Sequence, residues 1–350
     1  MTSKDLLVVA LMASATAVAT VPGHAQGQLN LLTWEGYADP SFVAAFEAKS
    51  GCRVNATYVG SGEEIIAKIA AGGGVYDLIT PASDITKLII ELGVVEPIDT
   101  SLIEEWENIF PQFREIDNIR KDDRYYALPY TWGAITFMYR NDAFDEPPKS
   151  LAALFDPKHK GRIALWDDKS AIFVAARYNG DQNIYSLTDA QLEAAVATLL
   201  AQKPLVRKYW ATAGELVDLY ASGEVDISNT WAGYQSAILA EQGIAVTEFI
   251  PEEKAEGWMD SWMIVKGAGD NPCTYPFLNM QVSEQGQCGV AKVNGYSVSN
   301  PVAARKCMSA EQFAALHMDD VGYLDSLLLW QPLGERLEAY TNAWNAVKAR

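Results

Sequence analysis

Apolar and polar residues follow one another along the chain in segments that alternate between strand-like and helix-like patterns. The first predicted strands are residues 29–34, 54–59 and 76–80, and the helices predicted after each of them begin at residues 40, 63 and 86. Strands that alternate with helices are typical of βαβ units, in which the sheet is mainly parallel. The amino-terminal half of the chain is therefore predicted to form an α/β unit.

A second series of this kind occupies residues 134–256. Its predicted strands are residues 135–139, 162–166 and 225–229, a helix is predicted over residues 192–203, and strand character returns at residues 262–265. Between the two series lies the Pro- and Gly-bracketed stretch 129–134, which we interpret as a crossover between two lobes. Two lobes joined by at least two crossovers can close over a cleft.

The first residues of the chain have the pattern of a secretory signal. Lys4 precedes the apolar run 6–12, small residues follow, and the run ends at a cleavage-site pattern near Ala25. We expect residues 1–25 to be removed and the mature protein to be periplasmic; the alternative is a buried first helix. A membrane span needs about 18 continuous apolar residues, and no later stretch approaches that length. We expect no lipid anchor, because the predicted cleavage point lacks a Cys.

The composition fits a large globular protein with a strongly acidic surface. The 350 residues are 49% apolar and 21% charged, and 45 acidic residues against 27 basic ones give a formal charge of −18. Such a surface repels nucleic acid and anionic lipid and concentrates small cations, although solubility alone explains it as well. We expect a monomer that has no nucleic-acid partner.

Four cysteines remain after the predicted cleavage site. Cys273, Cys288 and Cys307 cluster in the sequence, so we expect one disulfide among them, with Cys52 either free or paired across a lobe. No Cys/His spacing suggests a metal, and neither a nucleophile motif nor a phosphate-binding loop occurs. We therefore expect neither a metal, a cofactor nor an enzymatic activity.

Several segments, taken together and in order, resemble the spermidine- and putrescine-binding proteins of ABC importers. The segments are Leu-Leu-Thr-Trp-Glu-Gly-Tyr at 31–37, Tyr-Ala-Leu-Pro-Tyr-Thr-Trp-Gly at 126–133, 154–162, Gly-Trp-Met-Asp-Ser at 257–261, Gly-Tyr-Ser-Val-Ser-Asn at 295–300 and Trp-Gln at 330–331. Each match is modest, but the ordered set covers nearly all of the predicted mature chain.

The resemblance implies an α/β fold of the type II periplasmic-binding-protein kind, in which each lobe is a mainly parallel sheet flanked by helices and a hinged cleft separates the lobes. It places the first lobe at residues 26–133 and 257–318, the second at 134–256, and a segment that packs near the cleft and the second lobe at 319–350. It also implies a receptor that binds a small cationic amine and delivers it to an inner-membrane permease.

By this resemblance, an aromatic box surrounds the ligand and carboxylates hold its ammonium. The box would consist of Trp34, Tyr37, Trp231, Trp258 and Tyr296. Asp260 would bind the ammonium, Glu35 would share it, and Gln331 would add a hydrogen bond. Without the resemblance, core packing explains each Trp better than a ligand site does. A turn or surface position is the corresponding alternative for Asp260. Trp258 and Asp260 are two residues apart, so on a strand they share a face.

The far end of the predicted site departs from the family pattern. Ser83, Asp168 and Tyr234 fall at far-end positions. However, the polyamine binders carry a glutamate where this chain has Ala171, and the putrescine binders carry an aspartate where it has Tyr234. Lys169 next to Asp168 reduces the negative charge further. The amine subsite at Asp260 is therefore better supported than a second ammonium subsite.

Three hypotheses about the function remain open at this point. The first is a receptor for putrescine, spermidine or a related amine, which traps its ligand by hinge closure. The second is a receptor for a monocationic or zwitterionic amine with a remodelled far end. The third belongs to another class, a secreted enzyme that uses Glu35 and Asp260 as paired carboxylates.

Overall fold

The structure is a computed structural model that describes residues 27–72 and 75–350. The predicted signal peptide, residues 1–25, lies outside the described residues. Among the described helices, none is both long and apolar enough to cross a membrane.

The strands in chain order are β1 (Gly27–Thr33), β2 (Cys52–Tyr58), β3 (Leu78–Ile79), β4 (Val95–Glu96), β5 (Arg120–Lys121), β6 (Arg124–Tyr125), β7 (Leu128–Arg140), β8 (Ile163–Trp166), β9 (Val206–Trp210), β10 (Ile227–Trp231), β11 (Val246–Phe249), β12 (Glu256–Val265), β13 (Ser297–Val298) and β14 (Leu328–Leu329). The helices are α1 (Pro40–Ser50), α2 (Gly62–Gly72), α3 (Ser83–Glu91), α4 (Pro111–Arg114), α5 (Ser170–Tyr178), α6 (Asp189–Gln202), α7 (Ala213–Ala221), α8 (Tyr234–Glu241), α9 (Thr274–Val282), α10 (Glu284–Asn294), α11 (Pro301–Ala304), α12 (Ala310–Ala315), α13 (Val321–Ser326) and α14 (Leu337–Ala349).

Local signals set the helix ends that the sequence predicted. Helix α1 starts with Pro40 in its first turn, and the Asp39 side chain accepts a hydrogen bond from the Ser41 amide at 2.8 Å. The helix ends at Gly51, whose φ of 74° is a left-handed conformation that favours glycine. These signals return the chain to β2, which lies parallel to β1.

The first lobe is built on β1, which pairs in parallel with β2 on one side and with β3 on the other. The second lobe has the corresponding parallel set, with β8 between β9 and β10. Both series of βαβ units predicted from the sequence are therefore present. The whole sheet is mixed, because β7 and β12 run antiparallel to these strands.

Strands β7 and β12 connect the two lobes. They pair with each other along most of their length, and β12 continues past this pairing to join β3 in the first lobe at Met263 and Ile264. The stretch 129–134, interpreted as a crossover, is part of β7 because its backbone groups pair with β12. Both strands are almost entirely buried. The predicted lobe boundaries at 133–134 and 256–257 remain predictions, since both strands run through them.

The carboxyl-terminal segment lies against the second lobe. In α14, the Tyr340 hydroxyl donates to the Ile184 carbonyl at 2.7 Å, and the ring of Trp344 packs edge-on against Tyr209 with centroids 4.9 Å apart. Upstream of this helix, β14 pairs in parallel with the start of β12 and leads directly into Trp330.

Two disulfides connect the four cysteines. The expected bridge within the late cluster joins Cys288 to Cys307, and Cys273 pairs instead with Cys52. The second bridge ties the first residue of β2 to the start of α9, so Cys52 is not free. Sequence proximity could not reveal this pairing, because the two residues are 221 positions apart.

Replacing Cys52 and Cys273 together by serine should destabilise the protein more than replacing Cys288 and Cys307. The first bridge spans 221 residues and the second 19, and loop-closure entropy predicts a difference of about 2 kcal/mol. Calorimetric melting of the two double variants in parallel measures this difference. A larger loss of stability for the Cys288 and Cys307 pair would contradict it.

Candidate functional site

One pocket lies between the two lobes at the carboxyl ends of the parallel strands. About 330 Å³ of non-atom space, open solvent included, lies within it, and seven of its ten lining residues are aromatic. The lining residues are Trp34, Tyr37, Ala82, Ile135, Trp166, Trp231, Trp258, Asp260, Tyr296 and Trp330. Ligands of open α/β sheets bind at this edge, because the loops that follow the parallel strands converge there.

The strand ends explain which residues reach the pocket. Trp34 directly follows β1, while Trp166 and Trp231 are the last residues of β8 and β10. Trp258 and Asp260 are two positions apart on β12 and both line the pocket, as expected of one strand face. Each of these side chains is thereby positioned by a buried strand rather than by a mobile loop.

Asp260 is the single ionisable acid among the lining residues. It is 5% exposed, and its Oδ2 accepts a hydrogen bond from the Tyr37 hydroxyl at 2.5 Å. The same hydroxyl lies 2.5 Å from Oγ1 of Thr131, the cross-strand neighbour of Asp260. Oδ1 of Asp260 has no hydrogen-bond partner among the described residues. One oxygen is thus held by the protein, and the other can accept from a ligand.

Burial raises the pKa of Asp260 to about 8, and the negative charge of Asp84 adds to this rise. The hydrogen bond from Tyr37 opposes it only in part. Without a ligand, this carboxyl therefore holds its proton at neutral pH. A cation in the pocket would favour the ionised form instead, since opposite charge stabilises a carboxylate.

The aromatic walls come from both lobes. Trp34 of the first lobe packs edge-on against Trp166 and Trp231 of the second, with ring centroids 6.4 and 6.0 Å away. Trp258 contacts Tyr296 at 4.7 Å. Such rings present negative π faces, which attract cations and also cover methylene groups.

A second cluster of charges lies beside the pocket and was not predicted in this form. The Lys169 side chain is 2% exposed, and its Nζ is 2.8 Å from Oδ2 of Asp84 and 3.1 Å from Oε1 of Glu63, both in the first lobe. Asp168 of the second lobe is 3.9 Å away. Burial raises the pKa of Asp168 to about 7, an effect that Lys169 opposes and the other acids increase.

Contacts between the lobes surround the pocket. The Trp166 indole Nε1 donates to the Gly60 carbonyl at 2.9 Å. On another side, Gly233 has a φ of 81° and approaches Gly295 so closely that a Cβ would lie 2.7 Å from the Gly295 carbonyl oxygen. A side chain at Gly233 would therefore push the Gly295 backbone away.

The structure brings six of the predicted site residues together. Trp34, Tyr37, Trp231, Trp258, Asp260 and Tyr296 all line the pocket. Two others lie just behind the lining, since Ser83 donates to the Trp330 carbonyl at 3.1 Å and Tyr234 packs against Tyr296 with centroids 6.1 Å apart. Asp168 belongs to the Lys169 cluster, which consists of Lys169, Glu63, Asp84 and Asp168.

Glu35 and Gln331 are placed elsewhere. Glu35 occupies a half-buried turn outside the lining, where its charge contributes to raising the pKa of Tyr58 and Tyr234, which burial raises most. Gln331 is exposed, and the preceding Trp330 lines the pocket in its place. Both predictions rest on the family resemblance, and a matching position in the sequence does not set the direction of a side chain.

Sequence reasoning missed four lining residues: Ala82, Ile135, Trp166 and Trp330. Trp166 carried a usable signal, because it ends a predicted strand of the parallel set, where ligand-contacting residues collect. Asp84 and Glu63 carried no such signal, because acidic residues are common in the first turn of a helix.

The fold and the pocket are those of a two-lobed binding protein, and comparison with known proteins agrees. Residues 41–317 match the model of the family described as bacterial extracellular solute-binding protein. The chain belongs to this family, and its fold is that of type II periplasmic binding proteins.

Individual relatives support the resemblance seen in the sequence. The spermidine/putrescine-binding periplasmic protein of Escherichia coli K12 is 29% identical over 308 residues, which cover 86% of each chain. The structure of a putative spermidine/putrescine ABC transporter protein from Listeria monocytogenes is 25% identical, with a TM-score of 0.82 over 92% of this chain and 98% of that one. A periplasmic binding protein of Agrobacterium tumefaciens B6 in complex with glucopine shares the fold at 19% identity and a TM-score of 0.76, covering 92% of this chain and 99% of the other.

Replacing Asp260 by Asn should change how the stability of the ligand-free protein depends on pH. The folded-state pKa of about 8 exceeds the unfolded value of about 3.9. Asp260 therefore contributes most to stability below pH 4, and this contribution is lost as pH rises toward 8. We expect the melting temperature of Asp260→Asn, relative to wild type, to increase between pH 5 and pH 8.

The exposed Asp218 offers a matched control, since Asp218→Asn changes the same chemical group away from the pocket. The difference in melting temperature between Asp218→Asn and wild type should stay constant over the same pH range. Parallel behaviour of the two variants would show that Asp260 is ionised in the empty pocket.

Proposed function

We propose that this protein is the periplasmic receptor of an ABC importer and that it binds a small organic amine in its cationic form between the two lobes. The observation that carries the proposal is the buried Asp260, with one oxygen unpartnered among the described residues, inside a pocket that is otherwise aromatic. The relatives named for spermidine and putrescine support the class of ligand, and they are periplasmic by name.

The energetics of desolvation favour this ligand class. An ammonium that leaves water loses several kcal/mol unless a carboxylate and hydrogen bonds replace its hydration. Asp260 provides the charge, and each indole or phenol face adds about 0.5–2 kcal/mol of cation–π attraction. A micromolar dissociation constant, about −8 kcal/mol, is within reach of these contacts.

Hinge closure is the proposed binding mechanism. Trp34 follows β1 of the first lobe and Trp231 ends β10 of the second, so a ligand between them contacts both lobes at once. Such contacts are complete only when the lobes are closed, and this gives the ligand a preference for the closed form. The closed form is then the one that a membrane permease recognises.

A second candidate ligand class, amines that also carry an oxygen acceptor, has its own support. The indole Nε1 atoms of Trp34 and Trp258 are buried and have no partner within the described part of the chain. Both residues line the pocket. A carboxylate or hydroxyl on the ligand could accept from them, because buried donors without partners are costly.

The test of the amine class is a thermal-shift and calorimetric screen of protein that has been unfolded and refolded to remove carried-over ligand. The panel contains n-butylamine, putrescine, spermidine, choline, γ-aminobutyrate and, as an anionic control, butyrate. A ligand at 100 times its dissociation constant stabilises the folded state by about 2.7 kcal/mol. We expect shifts with one or more of the cations and none with butyrate. A shift with butyrate alone would overturn the proposal.

Asp260→Asn should weaken binding of the best amine of this panel by at least about 100-fold, since the neutral amide leaves a buried ammonium without its counter-charge. Glu35→Gln is the matched control. It makes the same carboxylate-to-amide change at the other acid predicted to bind the ammonium, which lies outside the lining, and should alter the affinity by less than about threefold. Titration calorimetry measures both, and equal losses would contradict the assigned role of Asp260.

A further inference from the structure

The Lys169 cluster has the chemical composition of an ammonium-binding subsite. Its Nζ lies within 4 Å of three carboxylates, those of Glu63, Asp84 and Asp168. It also lies over the ring of Trp330, 5.8 Å from the centroid. Carboxylates and an indole face are the groups that stabilise a desolvated ammonium. Here the ammonium belongs to the protein itself.

This cluster is the immediate neighbour of the pocket. Trp330 lines the pocket and also contacts the Lys169 ammonium. Ala82 lines it as well and is bridged through its backbone to Asp260, while Asp84 follows two residues later on α3. The charge of Asp84 reaches Asp260, since it helps to raise the pKa of that carboxyl. Asp260 and the Lys169 cluster are therefore parts of one electrostatic system.

Lys169 remains charged in this position. Burial alone lowers the pKa of the ammonium, but Asp168, Asp84 and Glu63 together raise it well above the ordinary value. With a 2% exposed side chain, the ammonium has exchanged water for protein contacts. An added cation beside it would meet like charge and would find the nearby carboxylates already paired.

We propose that Lys169 is a specificity-determining residue whose tethered ammonium fills the place that the second ammonium of a diamine would need, so that the pocket selects ligands with a single ammonium. The inference rests on the proposed function and narrows its ligand class. The ammonium of the ligand pairs with Asp260, and the far end of the ligand meets Trp330 and Lys169. Under this proposal, a neutral or anionic far end is favoured over a cationic one.

Lys169 also has a structural role, and the experiment must distinguish it from the proposed role in specificity. Two of its partners, Glu63 and Asp84, come from the first lobe, whereas Lys169 itself directly precedes the second-lobe helix α5. The ion pairs therefore also hold the lobes together. A residue that acted only in this way would change the affinities of all ligands by the same factor. The ratio between a monoamine and a diamine of equal length is thus the decisive quantity.

The experiment compares n-butylamine with putrescine, which differ only in the second ammonium, by titration calorimetry on the refolded full mature chain. The variants are wild type, Lys169→Met, which removes the charge and keeps an unbranched side chain, and Lys208→Met at an exposed lysine as the matched control. We expect wild type to bind butylamine at least tenfold more tightly than putrescine. Lys169→Met should shift this ratio toward putrescine by at least 30-fold, and Lys208→Met should leave it unchanged.

Lys169→Met alone leaves the buried carboxylates around it without their counter-charge, and this can destabilise the fold. The double variant Glu63→Gln with Lys169→Met removes one of these carboxylates together with the ammonium. It should show the same direction of shift, and retained butylamine binding shows that the pocket is intact. An unchanged ratio in both Lys169 variants would overturn the inference while the amine receptor function stood. Failure of wild type to bind any cation of the panel would overturn the proposed function, and the inference with it.

Discussion

A carboxylate removed from water needs a positive charge or several hydrogen bonds to remain ionised, and this constraint governs the centre of the protein. Asp260, Asp84 and Asp168 are all at most 5% exposed and lie around one cleft. These acids satisfy the constraint unequally. Asp84 is paired with Lys169 across the cleft, whereas Asp260 has only a tyrosine hydroxyl and keeps its proton at neutral pH. The unpaired acid faces the pocket, and the paired ones lie beside it.

Aromatic walls of this kind favour cations over anions, because the π faces of the rings are negative. Water in the cleft would hydrate Asp260 and weaken its attraction for a ligand, and the packed rings of Trp34, Trp166 and Trp231 leave little room for it. The rings are rigid because each sits at the end of a buried strand. Aromatic walls can also attract a cation without supplying an anionic group that would bind it in place of Asp260.

The connection between the lobes and the position of the acid share one structural element. Strand β12 crosses from the second lobe to the first, and Asp260 lies where its pairing with β7 shifts by one residue, between Asp260 and Ser261. A bulge of this kind redirects side chains and is common next to binding sites. A ligand held by Asp260 is therefore attached to a strand that both lobes share, and the aromatic residues of each lobe complete the enclosure.

The sequence alone determined the class of fold and much of the pocket. Alternating strand and helix patterns predicted the βαβ units and the start of α1 at Pro40, because these features depend on neighbouring residues. The family resemblance identified six of the residues that line the pocket. The tertiary structure alone decided the Cys52–Cys273 pairing, the outward positions of Glu35 and Gln331, and the ion pairs of Lys169 with Glu63 and Asp84. Each of these features depends on which distant segments meet in space. Lys169 and Asp84 are 85 positions apart in the sequence, so neither residue carries a local signal of their ion pair.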